Sequence, residues 1–105
     1  GTVHGFYKDT PNIRMPLLKQ ISDKIAIPLV LHGGSGIPSD IIRKTISLGI
    51  AKINICTEFV ASFADAFVNG QKEPGFRYNI PGVFANPRTA VQNLVKQKIS
   101  LFSGL

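Results

Sequence analysis

Two histidines occur in the sequence, and each stands directly before glycine: Gly1-Thr2-Val3-His4-Gly5, and Leu29-Val30-Leu31-His32-Gly33-Gly34-Ser35-Gly36. A neutral imidazole suits zinc, and two imidazoles at neighbouring strand ends can reach one ion while leaving room for further ligands and a substrate oxygen. Singly, each histidine reads better as a satisfied structural residue; their shared place at strand ends, each followed by glycine, brings the ligand reading level with it. The Gly33-Gly34-Ser35-Gly36 run lets backbone amides approach an anion, with the serine hydroxyl as another donor. Its bland alternative is a plain glycine turn, since neither the dinucleotide-binding nor the Walker A pattern is present. A third polar stretch, Ile53-Asn54-Ile55-Cys56-Thr57, leads from an apolar run into a helical pattern. The amides near Thr57 there present a helix N-terminus to an anion, or Thr57 serves only as a helix cap. Cys56 reads as a small buried hydrophobe rather than a nucleophile, because no third histidine is available to activate it.

These stretches must be positioned by regular elements. Residues 1–4 read as the end of a strand whose beginning is missing. Met15, Leu18 and Ile21 lie at helical spacing within 11–23, with Pro16 tolerable in a first turn. The apolar run 26–31 ahead of the glycines predicts a strand buried on both faces. Pro38-Ser39-Asp40 opens a helix that Gly49 ends, 50–55 is a second strand, and a helix from Thr57 or Glu58 stops at Gly70. Residues 71–83 read as a loop, and Asn86-Pro87 as the cap and first position of a closing helix. This alternation is the signature of βα units around a parallel sheet, where functional groups collect at the strand ends.

Composition narrows the function class. The 105 residues are 44% hydrophobic and 17% charged, which suits a folded core rather than a disordered segment. The longest apolar stretch, broken by Pro28, is far short of the roughly 20 residues of a membrane span, so no membrane partner is expected. One cysteine rules out an internal disulfide framework and fits a reducing compartment, so a cytoplasmic location is expected. Net charge is +6, yet the basic residues are scattered without a run or interleaved aromatics. No nucleic-acid partner is expected; the mild positive field suits small phosphorylated metabolites.

Together, Gly1-Thr2-Val3-His4-Gly5-Phe6-Tyr7-Lys8, Pro28-Leu29-Val30-Leu31-His32-Gly33-Gly34-Ser35-Gly36 and Ala51-Lys52-Ile53-Asn54-Ile55-Cys56-Thr57-Glu58 resemble the class II, zinc-dependent ketose-bisphosphate aldolases. The resemblance runs over essentially the whole chain. It implies an α/β fold, with residues 1–105 as the C-terminal part of a single (β/α)₈ TIM barrel domain of parallel strands. It also implies that His4 and His32 are zinc ligands. Gly5, Gly33, Gly34, Ser35, Asn54, Ile55, Cys56 and Thr57 would hold the phosphate and hydroxyl groups of dihydroxyacetone phosphate, with Asn54 also helping to stabilise the enediolate. A monovalent cation, Na⁺ or K⁺, would have Val3, Gly5, Gly33 and Ser35 as neighbours.

The implied reaction is reversible aldol cleavage of a ketose 1,6-bisphosphate to dihydroxyacetone phosphate and glyceraldehyde 3-phosphate. A barrel typically needs about 250 residues. The resemblance therefore places a further zinc-binding histidine and the proton-transferring acid in an N-terminal half not contained here, and no Asp or Glu of this sequence matches that acid. The isolated 105-residue chain is accordingly expected to be inactive, and the complete protein to be a homo-oligomer that takes fructose or tagatose bisphosphate. The alternative is a non-catalytic phosphate-binding half-barrel or scaffold.

Overall fold

The structure, a computed structural model, describes residues 2, 5, 7–9 and 11–104. Val3 and His4 therefore lie outside the described residues. Of the strand end expected at 1–4, only Thr2 is described, and it belongs to no strand.

Two parallel strands, β1 (Leu29–Leu31) and β2 (Ile50–Ile53), pair with Leu29 opposite Ile50, Val30 opposite Lys52 and Leu31 opposite Ile53. The register shifts between Leu29 and Val30. Helix α1 (Met15–Lys24) precedes the sheet, and α2 (Ser39–Ser47) makes the crossover between the strands. Helix α3 (Thr57–Gly70), a 3₁₀ turn at Phe76–Tyr78 and the long α4 (Ile80–Ser103) follow. From α1 onward the expected elements are present, with β1 and β2 each shorter than the apolar runs suggested.

The core is small. Leu31, Ile37, Ile42 and Ile50 form its buried centre, and Leu18, Leu29, Ile46, Ile53, Leu101 and Phe102 are among the half-buried side chains packed on it. Apolar residues at helical spacing put Ile42 and Ile46 of α2 on the face that meets the sheet. The expectation that β1 is buried on both faces is not met: Val30 is 42% exposed, and its register partner Lys52 is exposed as well. Among the described residues the sheet has only two strands, so each strand has one edge without a neighbour and one face is thinly covered. The outline is correspondingly extended, 58 × 29 × 20 Å with a radius of gyration of 17.3 Å. A compact chain of about 100 residues has a radius near 13 Å.

The closing helix differs most from expectation. It starts at Ile80 rather than at Pro87, because Asn79 is its cap: the Gly82 amide donates to Asn79 Oδ1 at 3.0 Å, and Pro81 falls in the first turn, where its missing N–H costs nothing. Pro87 lies inside α4 and is buried. Proline at such a position removes one backbone hydrogen bond, and tertiary packing outweighs that loss. Phe84, in the turn before Pro87, stacks on Phe67 of α3 at a centroid distance of 6.0 Å, and Phe76 meets the same ring edge-on at 6.0 Å. The aromatic cluster folds the segment after α3 back onto that helix and carries α4 through its proline.

Leu48 caps the end of α2, and Gly49 follows with φ of +106°, in the left-handed region that an L side chain rarely adopts. A Cβ on Gly49 would also run into the Ser22 hydroxyl of α1. Gly49→Ala in the full-length protein is therefore expected to lower stability by about 1–3 kcal/mol, read as a reduced denaturation midpoint; an unchanged midpoint would show that the turn relaxes freely.

Candidate active site

The parallel ladder continues past the strands at one end of the sheet. The Asn54 amide donates to the Leu31 carbonyl at 2.9 Å, and the Gly34 amide donates to the Asn54 carbonyl at 2.9 Å. Asn54 is thus tied to residues on either side of His32-Gly33, which brings the two side chains together: Asn54 Nδ2 lies 3.2 Å from His32 Nδ1. Gly34 is buried at this junction, and a Cβ there would stand 2.6 Å from Ile53 Cγ2 and 3.1 Å from the Asn54 carbonyl. Close approach of two backbones requires glycine at this position.

Ser35 occupies the middle of the turn and is only 6% exposed. Its Oγ accepts from the backbone amides of Cys56 and Glu58, each at 3.3 Å. The first amides of a helix have no intrahelical partners, and the N-cap residue of α3, Cys56, supplies no side-chain acceptor. Ser35 performs that task from another loop. Thr57 is accordingly the first residue of α3 and not its cap, and Cys56, expected to be buried, is exposed. With its oxygen accepting two amides, the Ser35 hydroxyl retains its own proton to donate.

Three side chains to which the sequence expectations gave no site role hold this turn. The Tyr7 hydroxyl donates to the Gly33 carbonyl at 2.8 Å. Glu58 accepts from the Gly36 amide and is paired with Lys98 of α4. Gly33 and Gly36, with φ of +62° and +77°, both use left-handed backbone. Glu58 carried one weak signal, an acidic residue in a first helical turn; Lys98, forty positions later in the sequence, carried none. The structure therefore brings together His32, Gly33, Gly34, Ser35, Asn54, Cys56 and the start of α3 at Thr57. Ile55 contributes its side chain beneath Gly34, with Cγ1 3.3 Å from where a Cβ would stand. Gly5 has φ of +96°, and among the described residues no atom beyond its chain neighbours comes within 4 Å of where its Cβ would stand.

As a metal site, the described residues offer one exposed imidazole, and they contain no group of three or more His, Cys, Asp or Glu side chains able to hold an ion. The chemistry of that donor is suitable. If His32 ligates through Nε2, its proton moves to Nδ1, and the Asn54 carboxamide serves as partner by presenting Oδ1 in place of Nδ2, a rotation that exchanges two nearly isosteric groups.

Residues 1–104 match the family described as "Fructose-bisphosphate aldolase class-II", and the chain belongs to that family. It is 35% identical over 102 residues to a sulfofructosephosphate aldolase of Alkalicoccus urumqiensis, covering 97% of this chain and 36% of the relative. Among solved structures it superposes on the YdjI aldolase from Escherichia coli K12 with a TM-score of 0.84 and 38% identity, covering 97% of this chain and 37% of that one. The fructose-bisphosphate aldolase of Campylobacter jejuni shares the fold at a TM-score of 0.74 and 21% identity, over 98% of this chain and 38% of that one. The chain thus spans little more than a third of the length of these relatives.

Removing the Ser35 hydroxyl leaves two α3 amides without an acceptor. Ser35→Ala is expected to destabilise the full-length protein by about 1–2 kcal/mol, the usual cost of losing a helix cap, measured by urea denaturation. No change in midpoint would mean that water replaces Ser35 at the helix end at no cost.

Proposed function

We propose that the chain forms part of the active face of a (β/α)₈ barrel in a zinc-dependent aldolase that cleaves a phosphorylated ketose reversibly. The observation that carries this reading is the junction at the strand ends, where the His32 imidazole, the Asn54 carboxamide and the Ser35-capped start of α3 meet. A metal-binding donor, a polar group for the reacting carbons and an anion-binding backbone stand side by side, as aldol chemistry on a sugar phosphate requires. Two strands with open edges and an exposed Val30 are in keeping with a sheet that continues into further strands.

In this reading His32, together with His4, holds the zinc, and zinc when bound supplies Lewis-acid polarisation of the ketone. Asn54 orients His32 and holds the hydroxyl groups of the triose portion. The phosphate lies among Gly5, Gly33, Gly34, Ser35, Asn54, Ile55, Cys56 and Thr57, with the Ser35 hydroxyl as one donor. The Gly34, Asn54 and Cys56 amides already donate to the Asn54 carbonyl, the Leu31 carbonyl and Ser35 Oγ, so those three residues shape the site rather than supply its amides. The phosphate does not react, so its binding energy serves to position the reacting carbons. A monovalent cation beside the phosphate, near Val3, Gly5, Gly33 and Ser35, belongs to the same reading. So do a further zinc ligand and a proton-transferring acid from outside this chain, a homo-oligomeric complete protein and a cytoplasmic location.

For substrate we propose a ketose 1,6-bisphosphate cleaved to dihydroxyacetone phosphate and glyceraldehyde 3-phosphate. The name of the 35%-identical relative adds sulfofructose phosphate as a second substrate to compare. In the full-length protein, His32→Ala is expected to lose bound zinc, measured by elemental analysis, and to lower aldol cleavage by more than the roughly 10–100-fold that removal of a partner behind a metal ligand typically costs. Full zinc content with unimpaired cleavage would overturn the ligand assignment. Comparing kcat/KM for fructose bisphosphate, tagatose bisphosphate and sulfofructose phosphate decides the substrate.

A further inference from the structure

We propose that Glu58 and Lys98 form a positioning pair that fixes the Gly33–Gly36 turn in its anion-binding shape; the proposal deepens the phosphate-binding reading above and rests on it. Glu58 sits at the second position of α3 and uses its two carboxylate oxygens separately. Oε1 accepts from the Gly36 amide at 2.5 Å, and Oε2 pairs with Lys98 Nζ at 2.5 Å. One side chain thereby joins the glycine turn, the start of α3 and the last third of α4. The pair is shielded, with the Lys98 and Glu58 side chains 17% and 22% exposed, so solvent and salt screen it less than an ordinary surface pair.

The turn needs such restraint. Gly33 and Gly36 have the widest conformational range of any residue type, and a turn that must present amides to an anion loses affinity for every alternative shape it samples. Tyr7 holds the turn at its first carbonyl, Glu58 holds it at its last amide, and Ser35 between them is bound to α3. The carboxylate also lies beside amides proposed to receive an anion, where an uncompensated negative charge would repel it. Lys98 neutralises that charge and anchors α4 in the same contact. Glu58 is a positioning residue in this arrangement, not the acid that transfers a proton.

The two contributions separate by substitution. Glu58→Ala removes both the acceptor for Gly36 and the partner of Lys98. Glu58→Gln keeps an acceptor for Gly36 and drops the charge, whereas Lys98→Met keeps the acceptor and leaves the charge uncompensated. In the full-length protein, Glu58→Ala is expected to weaken binding of inorganic phosphate by about tenfold, within the range for breaking one coupled network, when followed by isothermal titration calorimetry. KM for the phosphorylated ketose rises in parallel with little change in kcat, and the Gly36 amide exchanges its proton faster by NMR. Glu58→Gln restores most of the affinity, Lys98→Met gives a smaller loss, and the Glu58→Ala/Lys98→Met double variant is no worse than Glu58→Ala.

Normal phosphate affinity and normal KM in a folded Glu58→Ala protein would overturn the proposal, as would additive losses in the double variant or a fall in kcat alone. If Glu58→Ala does not fold, Lys98→Met decides on the same measurements, and unchanged phosphate binding there overturns the pair. Wild-type protein that binds no phosphate overturns the site reading itself, an outcome distinct from wild-type binding that the variants leave untouched.

Discussion

The hydrogen bonds that Asn54 makes through its backbone, to Leu31 on one side and Gly34 on the other, are the constraint on which the site depends. They extend a parallel ladder beyond the last paired residues of β1 and β2, where the chain would otherwise be free to diverge. A side chain at 34 would separate the two backbones, so glycine there is a condition of the contact and not merely a permissive choice. Once the ladder is extended, the His32 and Asn54 side chains meet.

The same economy appears at the start of α3. A helix that begins directly after a strand exposes its first amides at the functional end of the sheet. Ser35 takes two of them and turns a local deficiency into a tertiary link between the glycine turn and the helix. The turn is then part of the helix end, so any group bound to one is bound to both. That linkage restrains a segment in which two glycines adopt left-handed backbone.

Packing elsewhere serves continuity more than closure. Among the described residues, four buried aliphatic side chains are a modest core for a chain of this length, and Val30, Val60, Ile80 and Phe84 remain exposed. Helices α3 and α4 carry exposed Val60, Phe63, Val68, Ile80, Phe84 and Ile99, and they are held together through Phe67, Phe76 and Phe84. Membership of the class-II fructose-bisphosphate aldolase family, with relatives almost three times as long, agrees with a sheet that has open edges.

The sequence by itself determined the order of the elements from α1 to α4, the parallel character of the sheet and the polar residues at its ends. These follow from local signals: apolar runs before glycine, proline and serine at helix starts, glycine at helix stops. It also marked His32, the Gly33–Gly36 turn and Asn54 as a group, because strand ends in such folds share one face. Tertiary structure alone decided three matters. Helix α4 starts at Ile80 because Asn79 caps it and Phe84 finds Phe67, although Asn86-Pro87 offers the same local start signal. Ser35, and not Thr57, serves the start of α3, since the nearest acceptor in space is twenty-one residues away in sequence. Glu58 meets Gly36 and Lys98 for the same reason: ion pairs and hydrogen bonds depend on distances across the fold, which short-range periodicity does not encode.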